Sequence, residues 1–274
     1  MQFKFTLFLT GCLFALLTST AIAQQNDLVL GVSEGTSGGL DHAQVIVKYQ
    51  GLADAMSRAV KRKVVVVFAR EFAQLEEGMK SGRYDFVMAR PSDYPARGIR
   101  DYGYQYVASA RPDGQCLIVA PLGSDITTLA QAKGKRWIFP EKISYMNKFC
   151  NAEMRDKGIK MEVEKLIYVR EQALIAQYID MKLVDVGGIA SYSGLARQLE
   201  KNKLQVIHKS VAQPYFPLVA NKKISKSTIA ALQKELVGLN DASGGSEVLK
   251  SIGIDGFETS SATRLSQLLV WLEK

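Results

Sequence analysis

Residues 30 to 39, LGVSEGTSGG, carry Gly35-x-Ser37-x-Gly39 between an apolar strand ending and a helical pattern. That spacing is that of a nucleophile elbow, where a tight strand-to-helix turn exposes a serine hydroxyl. Asp185 and His208 follow in the Ser, Asp, His order of α/β hydrolases. The oxyanion hole of that fold, however, takes an N–H from a loop on an earlier strand, and Ser37 lies on the first loop after an export signal. The loop therefore suits holding a small ligand better than attacking one. A secreted serine hydrolase using Ser37 is kept as the enzyme alternative, and the main reading is not an enzyme.

Other chemistry has less support. No G-K-[ST] follows the glycines, no dinucleotide G-x-G-x-x-G occurs, and His42 and His208 stand apart without metal-ligand spacing. Glu76-Glu77 falls on the solvent side of a helix. No cofactor and no metal are expected. What remains is a series of small polar or charged residues just beyond strand ends: Glu34 to Gly39, Arg70-Glu71, Arg90-Pro91-Ser92, Glu141 to Tyr145, and Gly187-Gly188. In open α/β sheets ligands bind beyond the carboxyl ends of the strands, and helices opening there offer free N–H groups to anions.

The elements that must position these residues follow from periodicity. Strand patterns at 27–33, 63–69 and 84–89 alternate with helical patterns at 43–60 and 71–81, which predicts a parallel α/β sheet. Two extended segments then flank the turn Arg111-Pro112-Asp113-Gly114. A second unit follows, with a short helix, a strand ending at Pro140, helix 144–157, strand 163–169, helix 171–181, strand 184–190, helix 192–201 and strand 204–210. Strand 214–220 returns before helices at 226–238, 243–252 and 261–272. The pattern is two α/β lobes: 24–121 with 210–274 as the first, and 122–209 as the second.

Lys4, the apolar run after it and Ala21-Ile22-Ala23 have the form of a secretory signal peptide over residues 1–23. Leu9-Thr10-Gly11-Cys12 also resembles a lipoprotein box, but the apolar run continues past Cys12. A periplasmic, exported chain is expected. Removing Lys4 takes the net charge from +8 to +7, with basic residues scattered apart from Lys61-Arg62-Lys63. That distribution argues against nucleic acid, and a mildly basic surface can steer an anion. With Cys12 gone, Cys116 and Cys150 remain as a possible disulfide or as two free thiols.

The segments VIVKYQGLADAMSRAV, LEEGMKSGRYDFVMARPSDY, GQCLIVAPLGSDITTLAQAKGKRWIFP, MKLVDVGGIASY, SVAQPYFPLVANKKIS and SEVLKSIGIDGF resemble, in order and pattern, the substrate-binding proteins of phosphate, phosphite and phosphonate ABC transporters. The resemblance implies a type II periplasmic binding fold with a ligand cleft between the lobes. It implies a small anionic ligand and an ABC permease as partner; a membrane sensor is the other partner considered, and a monomer is expected. The family's Ser-Thr-Ser-Gly stretch after the IFP strand is replaced here by Ile143-Ser144-Tyr145-Met146. A phosphonate would thereby lose several charge-assisted hydrogen bonds, each worth about 1.5 to 3 kcal/mol, against a larger, more apolar wall. The expected ligand residues are Thr36, Ser37, Arg90, Ser92, Ser144 and Tyr145, with Arg70 and Tyr192 behind them. Arg90 is the expected charge anchor, and Arg70 or Arg90 could equally pair with a carboxylate.

Overall fold

The computed structural model describes residues 26–36 and 39–274. Its first half runs β1 (Leu28–Ser33), α1 (His42–Val60), β2 (Val64–Phe68), α2 (Phe72–Lys80), β3 (Phe86–Ala89), α3 (Asp93–Tyr102) and β4 (Gln105–Gly114). The chain continues through β5 (Cys116–Pro121), α4 (Leu129–Ala132), β6 (Arg136–Pro140), α5 (Tyr145–Asp156), β7 (Lys165–Val169), α6 (Ala173–Asp180), β8 (Val186–Ala190) and β9 (Leu204–Lys209). It closes with β10 (Gln213–Ala220), α7 (Lys226–Val237), α8 (Gly245–Ile252), β11 (Gly256–Glu258) and α9 (Ala262–Leu272).

Two sheets result, ordered β11-β4-β10-β3-β1-β2 and β7-β6-β8-β5-β9. Each has a parallel centre, β2-β1-β3 and β7-β6-β8, extended by antiparallel strands where the chain crosses between sheets. The inner parallel strands β1, β3, β6 and β8 are largely apolar on both faces because helices cover both sides, whereas the edge strand β7 exposes Ile167 and Tyr168. Leu30, Val32, Tyr49, Phe86 and Phe216 are wholly buried in one core, and Trp137, Phe139 and Phe149 in the other.

Several details differ from the sequence expectation. The sequence pattern places residues 116–121 in the first lobe, yet β5 lies inside the second sheet between β8 and β9. The supposed turn at 111–114 is the end of β4, so β4 and β5 form no hairpin but carry the chain from one sheet to the other at Gln115. The return crossing is at Ser210–Ala212, and the two crossings are joined by Gln115 Nε2 donating to Ser210 O at 2.7 Å and by Cys116 N donating to Ser210 Oγ at 2.8 Å. The helix expected at 192–201 is replaced by turns and a 3-10 segment at 196–198, while α3 has no counterpart among the expected elements, because Gly98 interrupts its short helical pattern. Residues 187 and 188 do not end a strand but lie within β8, where a Cβ on Gly188 would meet Phe139 Cε1 at 2.6 Å. Gly188 admits Phe139 and Gly187 admits Ile175, and neither lines the cavity between the lobes.

Cys116 and Cys150 are joined in a disulfide, with Cα atoms 5.4 Å apart, tying β5 to α5 within the second sheet's layer. Helix α9, assigned by sequence to the first lobe, inserts Leu265, Leu268 and Leu269 among the core residues around Phe139 and Phe149.

Candidate functional site

The carboxyl ends of β1, β3, β6, β7 and β8 meet between the two sheets. Local sequence explains how. After β1, Gly35 adopts φ +58°, a left-handed conformation open to glycine at little cost, and passes close to Pro91. This turn buries Glu34 and Thr36. After β6, Ser144 caps α5, its Oγ accepting from Asn147 N at 3.2 Å. After β7, Gln172 precedes α6 and reaches across to the first lobe. Its Nε2 donates to Thr36 Oγ1 at 3.1 Å, and its backbone N donates to Thr36 O at 3.2 Å.

These residues enclose a narrow cavity lined by Glu34, Thr36, Arg90, Ser144, Tyr145 and Gln172 together with Gly35, Phe72, Pro91, Met146 and Tyr192. Its interior is about 10 Å³, roughly enough for one water, so the lobes stand closed on each other. Further ties across the cleft are the ion pairs Arg170–Glu71 at 2.7 Å and Lys148–Asp93 at 3.0 Å.

Arg90 is held firmly. Its Nε donates to Glu34 Oε2 at 2.7 Å and its Nη2 to Ile252 O at 2.8 Å, while Nη1 is buried without a hydrogen-bond partner. The guanidinium carbon sits 4.6 Å from the Phe216 ring centroid and 5.8 Å from that of Tyr192. Phe216 itself has φ +49°, a conformation costly for an aromatic residue, in a stretch where β10 slips register against β4. Glu34 also accepts from Lys48 Nζ at 2.7 Å and from the Tyr49 hydroxyl.

The charges in this cluster offset one another. Burial alone would raise the Glu34 carboxyl, but Arg90 and Lys48 outweigh it and bring it down to about 2. Burial also lowers Lys48, with Arg90 and Arg197 repelling it against the pull of Glu34. Arg90 is raised despite desolvation, chiefly by Glu34. Desolvation pushes the Tyr145 and Tyr192 hydroxyls well up, so both are neutral donors at physiological pH.

Of the residues expected to bind ligand, Thr36, Arg90, Ser144, Tyr145 and Tyr192 line the cavity. Ser92 does not; it is buried behind Tyr145, whose hydroxyl it meets. Arg70 is exposed at the mouth, near Glu171, and contributes no wall. Ser37 lies outside the described residues. Arg90 differs most from expectation, since its charge is met by Glu34 from within the same lobe. Glu34, Phe72 and Gln172 also line the cavity and are not among the ligand residues the sequence singled out. The rule that selected the other loops, placement just past a strand end, also covers Gln172.

The hydrolase order is not realised in space. Asp185 binds Arg136 through Oδ1 at 2.7 Å, whereas His208 Nε2 sits 2.8 Å from Glu153 Oε1. Among the described residues no cluster of three or more His, Cys, Asp or Glu side chains could hold a metal, and no helix is long and apolar enough to cross a membrane.

The fold is shared with several solved structures. XAC2383 from Xanthomonas citri, bound to ATP, matches with a TM-score of 0.73 and 16% identity over 91% of this chain and 98% of its own. The binding protein component of an ABC phosphonate transporter (PA3383) from Pseudomonas aeruginosa gives 0.69 and 17% over 90% and 87%. PhnD1 from Prochlorococcus marinus, in complex with methylphosphonate, gives 0.71 and 10% over 89% and 96%. At these identities the likeness establishes the two-lobed type II periplasmic binding fold. Residues 39–265 match the family described as ABC transporter, phosphonate, periplasmic substrate-binding protein. The chain belongs to that family, whose members are substrate-binding components of transporters and not enzymes.

Proposed function

We propose that this protein captures a small phosphonate-type oxyanion between its lobes and presents it to a membrane permease. The observation that carries the reading is the convergence of uncharged donors from both lobes, Thr36 from one and Ser144, Tyr145 and Gln172 from the other, on one cavity with Arg90 behind them. The Thr36 and Ser144 hydroxyls already accept one hydrogen bond each and keep their protons for a ligand oxygen. The N-terminus of α5 adds its dipole. Because Glu34 neutralises Arg90, the anion is held mainly by hydrogen bonds, with Lys48 leaving the cluster one positive charge in excess. Tyr145, Met146, Phe72 and Tyr192 keep the space small, so a short substituent on phosphorus is favoured over a long one.

Admission requires the lobes to part about the crossings at Gln115 and Ser210–Ala212, a hinge closure common to periplasmic binding proteins. The lobes are assigned as 24–121 with 210–274 and 122–209, apart from β5, which belongs with the second. Export by residues 1–23 without a lipid anchor at Cys12, and action as a monomer, complete the proposal.

Isothermal titration with methylphosphonate, inorganic phosphate and acetate tests it. Methylphosphonate is expected to bind with one site per chain, and Ser144→Ala to cost about 1.5 to 3 kcal/mol. Preference for acetate would move the ligand class to carboxylates. Binding of none of the three would refute the reading.

A further inference from the structure

Arg90 also forms part of a second, larger recess of about 700 Å³. Its wall shares none of Thr36, Ser144, Tyr145 or Gln172 with the cleft. Here Lys48 on α1 and Lys250 on α8 face Arg197, which the second lobe supplies from its 3-10 segment. Asn240 and Ser246 add an amide and a hydroxyl.

The charge balance is one-sided. Lys48, Arg90, Arg197 and Lys250 stand against Asp255 in the wall and Glu34 behind it, a surplus of two positive charges. Glu34 is committed to Arg90 and Lys48. Arg197 spends one N–H on Tyr192 O, at 2.9 Å, and among the described residues neither it nor Lys250 has an ion-pair partner. Repulsion between these cations is felt at Lys48, whose ammonium is disfavoured by Arg90 and Arg197 in addition to its burial. The partnerless, buried Nη1 of Arg90 belongs to the same guanidinium. A buried N–H on a charged group left without an acceptor is costly, and a nearby anion offsets that cost.

We propose that this recess is a second anion site, separate from the cleft, and that it takes a small polyanion carrying at least two phosphate groups. Two surplus charges match a multiply charged ligand. Donors arriving from α1, α8 and the 196–198 segment converge from different directions, as tetrahedral phosphate oxygens require, whereas a carboxylate offers two oxygens in one plane. The volume exceeds what a single oxyanion fills. Because Arg197 belongs to one lobe and Lys48 and Lys250 to the other, the occupant bridges the lobes.

Pyrophosphate titrated calorimetrically into the full chain at about 0.15 M salt, where exposed charges are screened beyond about 8 Å, is the direct test. One molecule per chain is expected to bind, more tightly than inorganic phosphate. Arg197→Ala and Lys250→Ala should each weaken it about tenfold, as loss of one charge-assisted contact implies. Both side chains are exposed, so the variants keep their fold. Ser144→Ala should leave pyrophosphate affinity unchanged, which separates this site from the cleft whatever the cleft binds. No binding at millimolar pyrophosphate would overturn the proposal. So would binding that survives the double Arg197→Ala, Lys250→Ala variant, binding lost on Ser144→Ala, or equal affinity for inorganic phosphate.

Discussion

The Nε of Arg90 donates to Glu34 Oε2 at 2.7 Å, and both side chains are only 5% exposed. A buried ion pair of this kind contributes little net stability against an apolar replacement, but removing one partner leaves the other charge uncompensated. Glu34→Gln should therefore lower unfolding stability by about 3 to 5 kcal/mol. Urea denaturation measures it. A loss below about 1 kcal/mol would mean that solvent or the Ile252 carbonyl carries the Arg90 charge instead.

The same carboxylate sets an acid limit. Glu34 is held at about 2 in the folded protein, against an ordinary 4.5. The unfolded chain binds the proton first, so this contribution is complete above pH 4.5 and is lost as pH falls from there towards 2. The loss is on the order of 3 kcal/mol over that window. Wild-type stability measured from pH 6 to 2.5 should fall more steeply than that of Glu34→Gln, and parallel curves would exclude Glu34 as a cause.

Gln172 acts as the strut between lobes. Its Oε1 accepts from the buried Ala190 N at 2.7 Å while its Nε2 holds Thr36. Gln172→Ala leaves the Ala190 N–H unsatisfied and should cost about 1 to 3 kcal/mol. It should also open the lobes, seen as a larger radius of gyration by X-ray scattering. An unchanged radius would assign the closed state to other contacts.

Arg170–Glu71 is a useful contrast, because it too crosses the cleft but is 45% and 50% exposed. Exposed pairs are worth about 0.2 to 1 kcal/mol. Arg170→Ala should leave thermal stability and ligand affinity nearly unchanged, and a tenfold loss of affinity would show that this pair latches the lobes.

The Cys116–Cys150 bridge closes a loop with a sequence separation of 34. Cross-linking a loop of that length restricts the unfolded chain by about 3 to 4 kcal/mol. The Cys116→Ala, Cys150→Ala double variant should lose about that much, and reductant should then have no further effect on it.

The elements and their order were legible because apolar periodicity and loop punctuation are local properties. The runs at 64–68 and 86–89 and the amphipathic α1 needed no partner to be recognised. Where local signals conflict with tertiary packing, sequence misled: α3 forms despite Gly98 because Tyr94 and Ala96, on different sides of the helix, are buried in two neighbouring cores. Strand β5 reads like part of the first unit because it follows β4 with a single residue between them.

The sequence by itself placed small polar and charged residues just beyond strand ends, since that placement follows from α/β topology. Of the residues it named, Thr36, Arg90, Ser144, Tyr145 and Tyr192 line the cavity between the lobes. Only the tertiary structure decided how Arg90 is used. Glu34 lies 56 residues away along the chain, and its pairing with Arg90 depends on β1 and β3 lying side by side. Pairing of charges buried together is a property of distance and desolvation in three dimensions, and no spacing along the chain encodes it.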